Sequence, residues 1–177
     1  MKNYTYRLSV FDGDKEVFQE SISYEGMMSL ISSCPDSDSY QALYDFAAAH
    51  PSSVVREYVA GKDNLSKKTV ELLSCDKSIN VLRALIRSSA FKKYAGDKLL
   101  MDFISLDPEI ARSIAEYYEQ FEMADSSKLT AALLQSSEPS VLAGLVGNYS
   151  TSKKIIRELV NHPDSYVASS AKDRLKN

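Results

Sequence analysis

The sequence predicts a mainly α-helical chain of repeated helix pairs, opened by a β-hairpin and closed by a terminal helix. Three observations predict it. Residues 4–23 alternate apolar and polar side chains around a turn-forming cluster. From about residue 50 a helix start marked by Pro or Asp recurs every 25–31 residues. A second series of starts, marked by Ser-Lys or Asp-Lys, keeps the same phase.

The hairpin comes first. Tyr4, Tyr6, Leu8 and Val10 share one face, and Thr5, Arg7 and Ser9 the other. A period of two is the signature of a strand. Phe11-Asp12-Gly13-Asp14 contains Asp-Gly, a strong short-range hairpin signal. The second strand sets Phe18, Ile22 and Tyr24 against Val17, Gln19 and Ser21. Two strands alone are marginal in water and need a packing partner. Residues 25–33, with Met27, Met28, Leu30 and Ile31, predict a short helix able to cover the hairpin. Cys34-Pro35-Asp36-Ser37-Asp38-Ser39 breaks the chain, and residues 40–49 predict a second helix. Together residues 1–49 form an expected capping segment.

The repeats occupy residues 50–177. Pro51-Ser52-Ser53-Val54-Val55-Arg56 aligns with the segments ending at Arg83, Arg112, Ala143 and Ala168, in steps of 27, 29, 31 and 25. In Asp107-Pro108 the Asp is a natural N-cap, and Pro at the first helical position loses no hydrogen bond. Pro139 and Pro163 serve likewise. The second series starts at Ser66, Asp97, Ser127 and Ser152, in steps of 31, 30 and 25. Each unit is therefore a short helix, a turn and a second helix, and about four units precede the polar helix Val167–Lys176. One such pair cannot bury its apolar faces alone, whereas stacked pairs form a continuous core.

This pattern resembles the α-solenoid class. It is most similar to leucine-rich-repeat-variant and short HEAT-like repeats, which combine a Pro/Asp turn, a Val-Arg-type first helix and a Leu-rich second helix. The resemblance covers about residues 50–177 and departs where Pro is missing near Ser78 and the middle units lengthen. It implies an architecture and no reaction.

Composition narrows the function classes. The chain has 177 residues and is 44% hydrophobic, enough for a real core. Its net charge of −3 sets it apart from the basic proteins that coat nucleic acid. Charge is uneven: −5 over residues 1–50, +4 over 51–106 and −2 over 107–177. No apolar run approaches the ~20 residues that span a bilayer, and the first residues lack a signal-peptide core, so a cytoplasmic location is expected. Cys34 and Cys75 stand alone and predict packed, reduced thiols. No Gly-rich phosphate loop, zinc motif or nucleophile elbow occurs, so no catalytic residue, metal or cofactor is predicted. Glu116 and Glu119 lie on a helix surface with no sign of burial.

The remaining candidates are binding residues. Lys67, Lys98, Lys128 and Lys153 recur once per unit at the second series of starts, with Lys68 and Lys154 beside the outer two. Cations sit poorly at a positive helix N-terminus, so the recurrence invites a row facing an anionic partner; solvated lysines are the plainer reading. Arg83, Arg87, Lys92, Lys93 and Lys98 surround Tyr94, a basic and aromatic mixture compatible with nucleic acid or with an ordinary solvated helix end. Arg56, Arg83 and Arg112 predict bridges between units or caps on carbonyls. His50 and His162 each precede Pro and predict turn-filling roles. The 11 Tyr, with Tyr40/Tyr44 and Tyr117-Tyr118 at helical spacings, offer half-buried packing or interface area.

The expectation is a non-enzymatic protein–protein interaction module (an adaptor, inhibitor or immunity-type binder) using the concave repeat surface, with the N-terminal hairpin as a second contact. Its partner is another protein, with an acidic surface if the lysine row is used. The hairpin's free edge could join a second copy into a homodimer. A nucleic-acid-binding repeat protein using the lysine row is the alternative, and an enzyme with an unrecognised site the third.

Overall fold

The computed structural model describes residues 5–176; Tyr4 and the side chain of Tyr24, both assigned to hairpin faces by the alternation, lie outside the described residues. The described residues hold twelve α-helices and one two-stranded antiparallel sheet, so the chain is mainly helical with an N-terminal β-hairpin. It divides into two compact units, Met1–Leu85 and Ile86–Asn177, with the boundary inside the stretch read as repeats.

In the first unit β1 (Tyr6–Asp12) pairs with β2 (Lys15–Ile22). Tyr6 faces Ile22 and Val10 faces Phe18, as the alternation requires. The loop is Gly13-Asp14, one residue later than the Asp-Gly pair. Gly13 has φ +59°, a left-handed conformation that glycine adopts without steric cost. Beyond Val10 the register shifts, with Phe11 facing Glu16, so Val17 is the extra residue of a bulge.

Five helices follow. Ser23 starts α1 (Tyr24–Ser33), its hydroxyl accepting the Gly26 N–H at 3.2 Å. A single 3₁₀ turn, Asp38–Tyr40, leads into α2 (Gln41–Ala48). Then come α3 (Ser53–Ala60), α4 (Lys67–Ser74) and α5 (Ile79–Leu85). Helix α3 packs on α1, α2 and α5, and α4 packs on α2 and α5. Tyr44, Val55, Val59, Leu73, Val81 and Leu85 are fully buried in this core. Tyr44 also donates its hydroxyl to the Pro35 carbonyl at 2.9 Å, satisfying its polar tip.

The second unit runs α6 (Ser89–Tyr94), α7 (Asp97–Leu106), α8 (Pro108–Tyr117), α9 (Ser126–Leu134), α10 (Pro139–Gly147), α11 (Lys153–Leu159) and α12 (Ser165–Lys176). Phe91 stacks on Phe103 and meets Phe121 edge-on, with ring centroids 5.4 and 6.1 Å away. Helices α8 and α10 approach closely at Gly144. A Cβ there would lie 3.0 Å from the Arg112 carbonyl oxygen and 3.1 Å from Ala115 Cβ. The terminal α12 packs on α10 and α11.

The helix starts follow the expected chemistry with two shifts. Ser66 and Ser152 cap α4 and α11, accepting the N–H groups of Thr69 and Ile155 at 3.1 and 3.4 Å. Asp107 caps α8 by accepting the Ile110 N–H at 3.1 Å, with Pro108 first in the helix. Helix α9, however, is capped by Asp125 rather than Ser127. Helix α7 has Gly96 at its cap, so Asp97 is its first residue. The Asp97 carboxylate instead accepts the Asp125 N–H at 2.7 Å, 28 residues ahead. Asp36 does the same in the first unit, accepting from Asp63 and Asn64 at 2.6 and 2.9 Å. These bonds tie turn to turn at one sequence period.

Candidate functional site

The hairpin is the least buried element. Its base touches the helices: Tyr6 and Ile22 are partly buried, and Ile22 Cβ lies near Gly26. Beyond the base, Leu8, Val10 and Phe18 are 45, 47 and 50% exposed, and Phe11 and Val17 more so. Helix α1 was expected to cover this face. It packs on α3 instead, burying Met27 and Ile31 and leaving the hairpin's apolar row open.

One latch anchors the base. The Tyr6 hydroxyl hydrogen-bonds His50 Nε2, and the two rings stack. His50 Nδ1 accepts the Ser52 N–H at 3.0 Å, so the imidazole is used at both nitrogens. An accepting Nδ1 carries no proton; Nε2–H then donates to the Tyr6 oxygen and the ring is neutral. Burial pushes the His50 pKa below its ordinary value, and the nearby Arg56 charge adds to the effect. Arg56 donates to both Asp76 carboxylate oxygens, at 2.5 and 3.0 Å, and to the His50 carbonyl at 2.7 Å. It is both the bridge and the carbonyl cap expected of it. Burial works to raise the Asp76 pKa, but the hydrogen bonds from Arg56 and from the Ser78 N–H prevail and hold it low. His162 repeats the turn role, its Nδ1 accepting the Asp164 N–H at 3.1 Å.

A groove lies between α1 and α3. Two adjoining cavities of about 540 and 350 Å³ share Ser32 and Tyr58. Val54 and Tyr58, one turn apart on α3, are 43 and 44% exposed there, while Val55 and Val59 face the core. Glu25, Asp36, Glu57 and Lys62 complete the lining. Lys62 Nζ donates to the Cys34 and Ser32 carbonyls at 2.9 and 3.3 Å.

All six row lysines are exposed. The four that recur once per unit do not keep one helical position. Lys67 and Lys153 are first in α4 and α11, Lys98 is second in α7, and Lys128 is third in α9. Each position turns the side chain by about 100°. Lys128 is paired with Asp97 at 2.8 Å, and Lys67 lies 3.9 Å from Glu71. Lys68, Lys98, Lys153 and Lys154 form no ion pair among the described residues. In the basic stretch, Lys92 stacks over Tyr117 at 4.4 Å and donates to Gln120 at 2.9 Å, while Lys93 lies 5.3 Å from the Tyr94 ring.

The carboxylates singled out earlier are structurally engaged. Glu116 accepts from Arg112 at 2.9 Å, and Glu119 from Asn148 at 2.6 Å. Among the described residues no group of three or more His, Cys, Asp or Glu is placed to hold a metal. No described helix is long and apolar enough to cross a membrane. Cys34 is buried as expected, but Cys75, at the end of α4, is exposed.

Compared with protein-family models, with curated proteins and with solved structures, the chain matches none.

The open hairpin and the groove were both missed in the sequence. The signal for the hairpin was present: Phe11 and Val17 fall outside the apolar face, so no single cover could bury every large side chain. The groove's signal was Val54 beside Val55 and Tyr58 beside Val59. Doubled apolar positions widen the stripe beyond what one packing partner needs.

Proposed function

We propose that this protein is a non-enzymatic binding module for another protein, with the N-terminal hairpin as its main contact. The observation that carries the reading is the row Leu8, Val10 and Phe18, half exposed on a ribbon whose outer edges have no strand beside them among the described residues. Such a ribbon offers backbone donors and acceptors together with apolar side chains, the two components of recognition by strand addition. Exposed apolar residues scattered singly need no explanation, but a contiguous set on one element marks an interaction site.

An acidic partner bound along the lysines has less support. Lys128 is engaged by Asp97, and the recurring lysines occupy different helical positions. A nucleic-acid partner would depend on the same residues.

The test is capture from a native lysate with nuclease treatment, comparing the wild-type chain with the double variant Leu8→Ser/Phe18→Ser. The expected result is a stoichiometric protein that survives nuclease and is lost with the variant. Bound material that disappears with nuclease, and whose retention falls steeply with salt, would move the reading to nucleic acid and the lysines. Equal capture by both chains would remove the hairpin.

A further inference from the structure

We propose that the groove between α1 and α3 docks a cationic amphipathic helix of a partner protein. This surface is separate from the hairpin row and stands or falls independently of it.

Shape comes first. The two adjoining cavities share Ser32 and Tyr58, so they form one trough along the outer sides of α1 and α3. Its floor is apolar: Val54 and Tyr58 on α3, Met28 on α1 and Ala84 on α5. Val54 and Tyr58 are four residues apart and therefore lie one above the other on one helix face. A trough walled by two helices, with anchors spaced one turn apart, suits a third helix. Ridges at the same spacing on the incoming helix fit between those on the walls, the helix-in-groove mode of recognition.

Charge chooses the occupant. Glu25, Asp36 and Glu57 line the trough, and the one cation in its lining among the described residues, Lys62, is held by the carbonyls of Ser32 and Cys34. Neither Glu25 nor Glu57 takes part in an ion pair among the described residues. Asp36 is fixed by the N–H groups of Asp63 and Asn64. The apolar floor binds the apolar face of an incoming helix, and the carboxylates select flanking Lys or Arg and reject Asp or Glu. Complementary charge sets partner choice and association rate more than bare affinity.

A second copy of this chain meets the requirement poorly. Its lysine-bearing helices α4, α11 and α12 commit Val70 and Leu73, Ile156 and Leu159, and Val167 and Ala171 to their own cores.

The test uses the full chain and two labelled synthetic helical peptides of about five turns. Both carry Leu along one face; one has Lys and the other Glu on the opposite face. Binding is read by fluorescence anisotropy at low and moderate salt. The Lys peptide is expected to bind and the Glu peptide not. Glu25→Lys/Glu57→Lys is expected to weaken the Lys peptide about tenfold or more, and Val54→Ser/Tyr58→Ser similarly, each with a circular dichroism melt that stays cooperative and is lowered modestly, in the first case by the cation placed in the first turn of α1. Glu16→Lys/Glu20→Lys, on the hairpin, makes the same change in net charge outside the groove and is expected to leave binding intact. Equal weakening by that control, equal binding of both peptides, or no effect of the groove variants would overturn the proposal. So would self-association of the chain abolished by Val54→Ser/Tyr58→Ser. Phe18→Ser keeps peptide binding if the groove acts alone, so failure of the hairpin reading and failure of the groove reading give different patterns.

Discussion

The hairpin and the helices of the first unit both carry large apolar residues and bury them to different extents. The helices bury a core of theirs, with Tyr44, Val55, Val59, Leu73 and Leu85 fully enclosed, and leave Leu30, Phe46, Val54, Tyr58 and Leu72 on their outer sides. The hairpin leaves Leu8, Val10, Phe11, Val17 and Phe18 about half exposed. The difference follows from geometry. A helix pair has two apolar stripes that face each other, and a third helix takes up what remains. A two-stranded ribbon has two faces and two edges, and here, among the described residues, it is the base that meets the helices. Hydrophobicity alone therefore says little about burial; what decides it is whether a second surface is within reach. On the proposed reading the ribbon is the binding surface, while the helices supply the stability.

If this division holds, substitutions should separate cleanly into those that cost stability and those that cost binding. The largest stability effect is expected at Asp76, whose side chain is 6% exposed and takes both hydrogen bonds from Arg56. Asp76→Ala strands the guanidinium beside the His50 and Pro51 carbonyls. The expected loss is about 3 kcal/mol, the lower end for breaking a buried pair, because Arg56 keeps some solvent. The shift of the urea midpoint measures it, and a loss under about 0.5 kcal/mol would place Asp76 with ordinary surface residues. The pair also gives a pH signature. The Asp76 pKa is lowered by folding, so its stabilisation is complete above the unfolded value near 4 and is lost as pH falls below it.

Next comes Gly144 in the second unit, where helices rather than a ribbon approach without slack. Gly144→Ala places a methyl 3.0 Å from the Arg112 carbonyl oxygen, too close unless α8 and α10 separate. Overpacking of this kind costs about 1–3 kcal/mol, offset by a few tenths for the better helix former. A melting temperature equal to the wild type would mean that the two helices part freely.

How legible this was in the sequence divides along the same line. The helix starts at Ser66, Asp107 and Ser152 were readable because a cap is a local event, one side chain meeting an N–H two or three residues away. Asp97 was misplaced because it has the residue type of a cap but acts over a distance, on the Asp125 N–H. Strand pairing was readable from alternation. The failure of α1 to cover the hairpin was not, because only the packing of α1 on α3 decides it. The lysine row suffered similarly: matching sequence phase does not guarantee matching helical phase once the starts slip by one or two residues.

A smaller effect is expected at the latch between ribbon and helices. Folding lowers the His50 pKa, so near pH 6 the unfolded chain binds a proton that the folded chain does not. Stability therefore rises with pH through this range, is complete above the unfolded value near 6.5, and declines below it. Protonation also removes the Nδ1 acceptor from the Ser52 N–H. The prediction is that the protection factors of the Tyr6 and Ser52 amides fall as pH drops below the unfolded value near 6.5 and that His50→Gln abolishes this pH dependence. Arg56 holds the His50 carbonyl, and its partner Asp76, whose pKa is lowered, stays ionised throughout this window, so His50 is the group that titrates. Protection that falls equally in the variant would assign the effect elsewhere.

The smallest effect on stability, and the one that tests the comparison most directly, is expected on the ribbon itself. Phe18 already keeps half its surface in water and faces Val10 across the strands. Phe18→Ser therefore gives up about half the burial of a core aromatic, and the expected loss is about 1 kcal/mol. A buried aromatic truncated in the helical core would cost about 3–5 kcal/mol. The same substitution removes the largest member of the exposed face, and the proposed partner should be lost with it. Largely retained stability with lost capture would assign the ribbon's apolar residues to binding. A loss of about 2 kcal/mol or more, as for a fully buried apolar side chain, would instead assign them to the fold, with Phe18 covered by packing that its half exposure does not reveal.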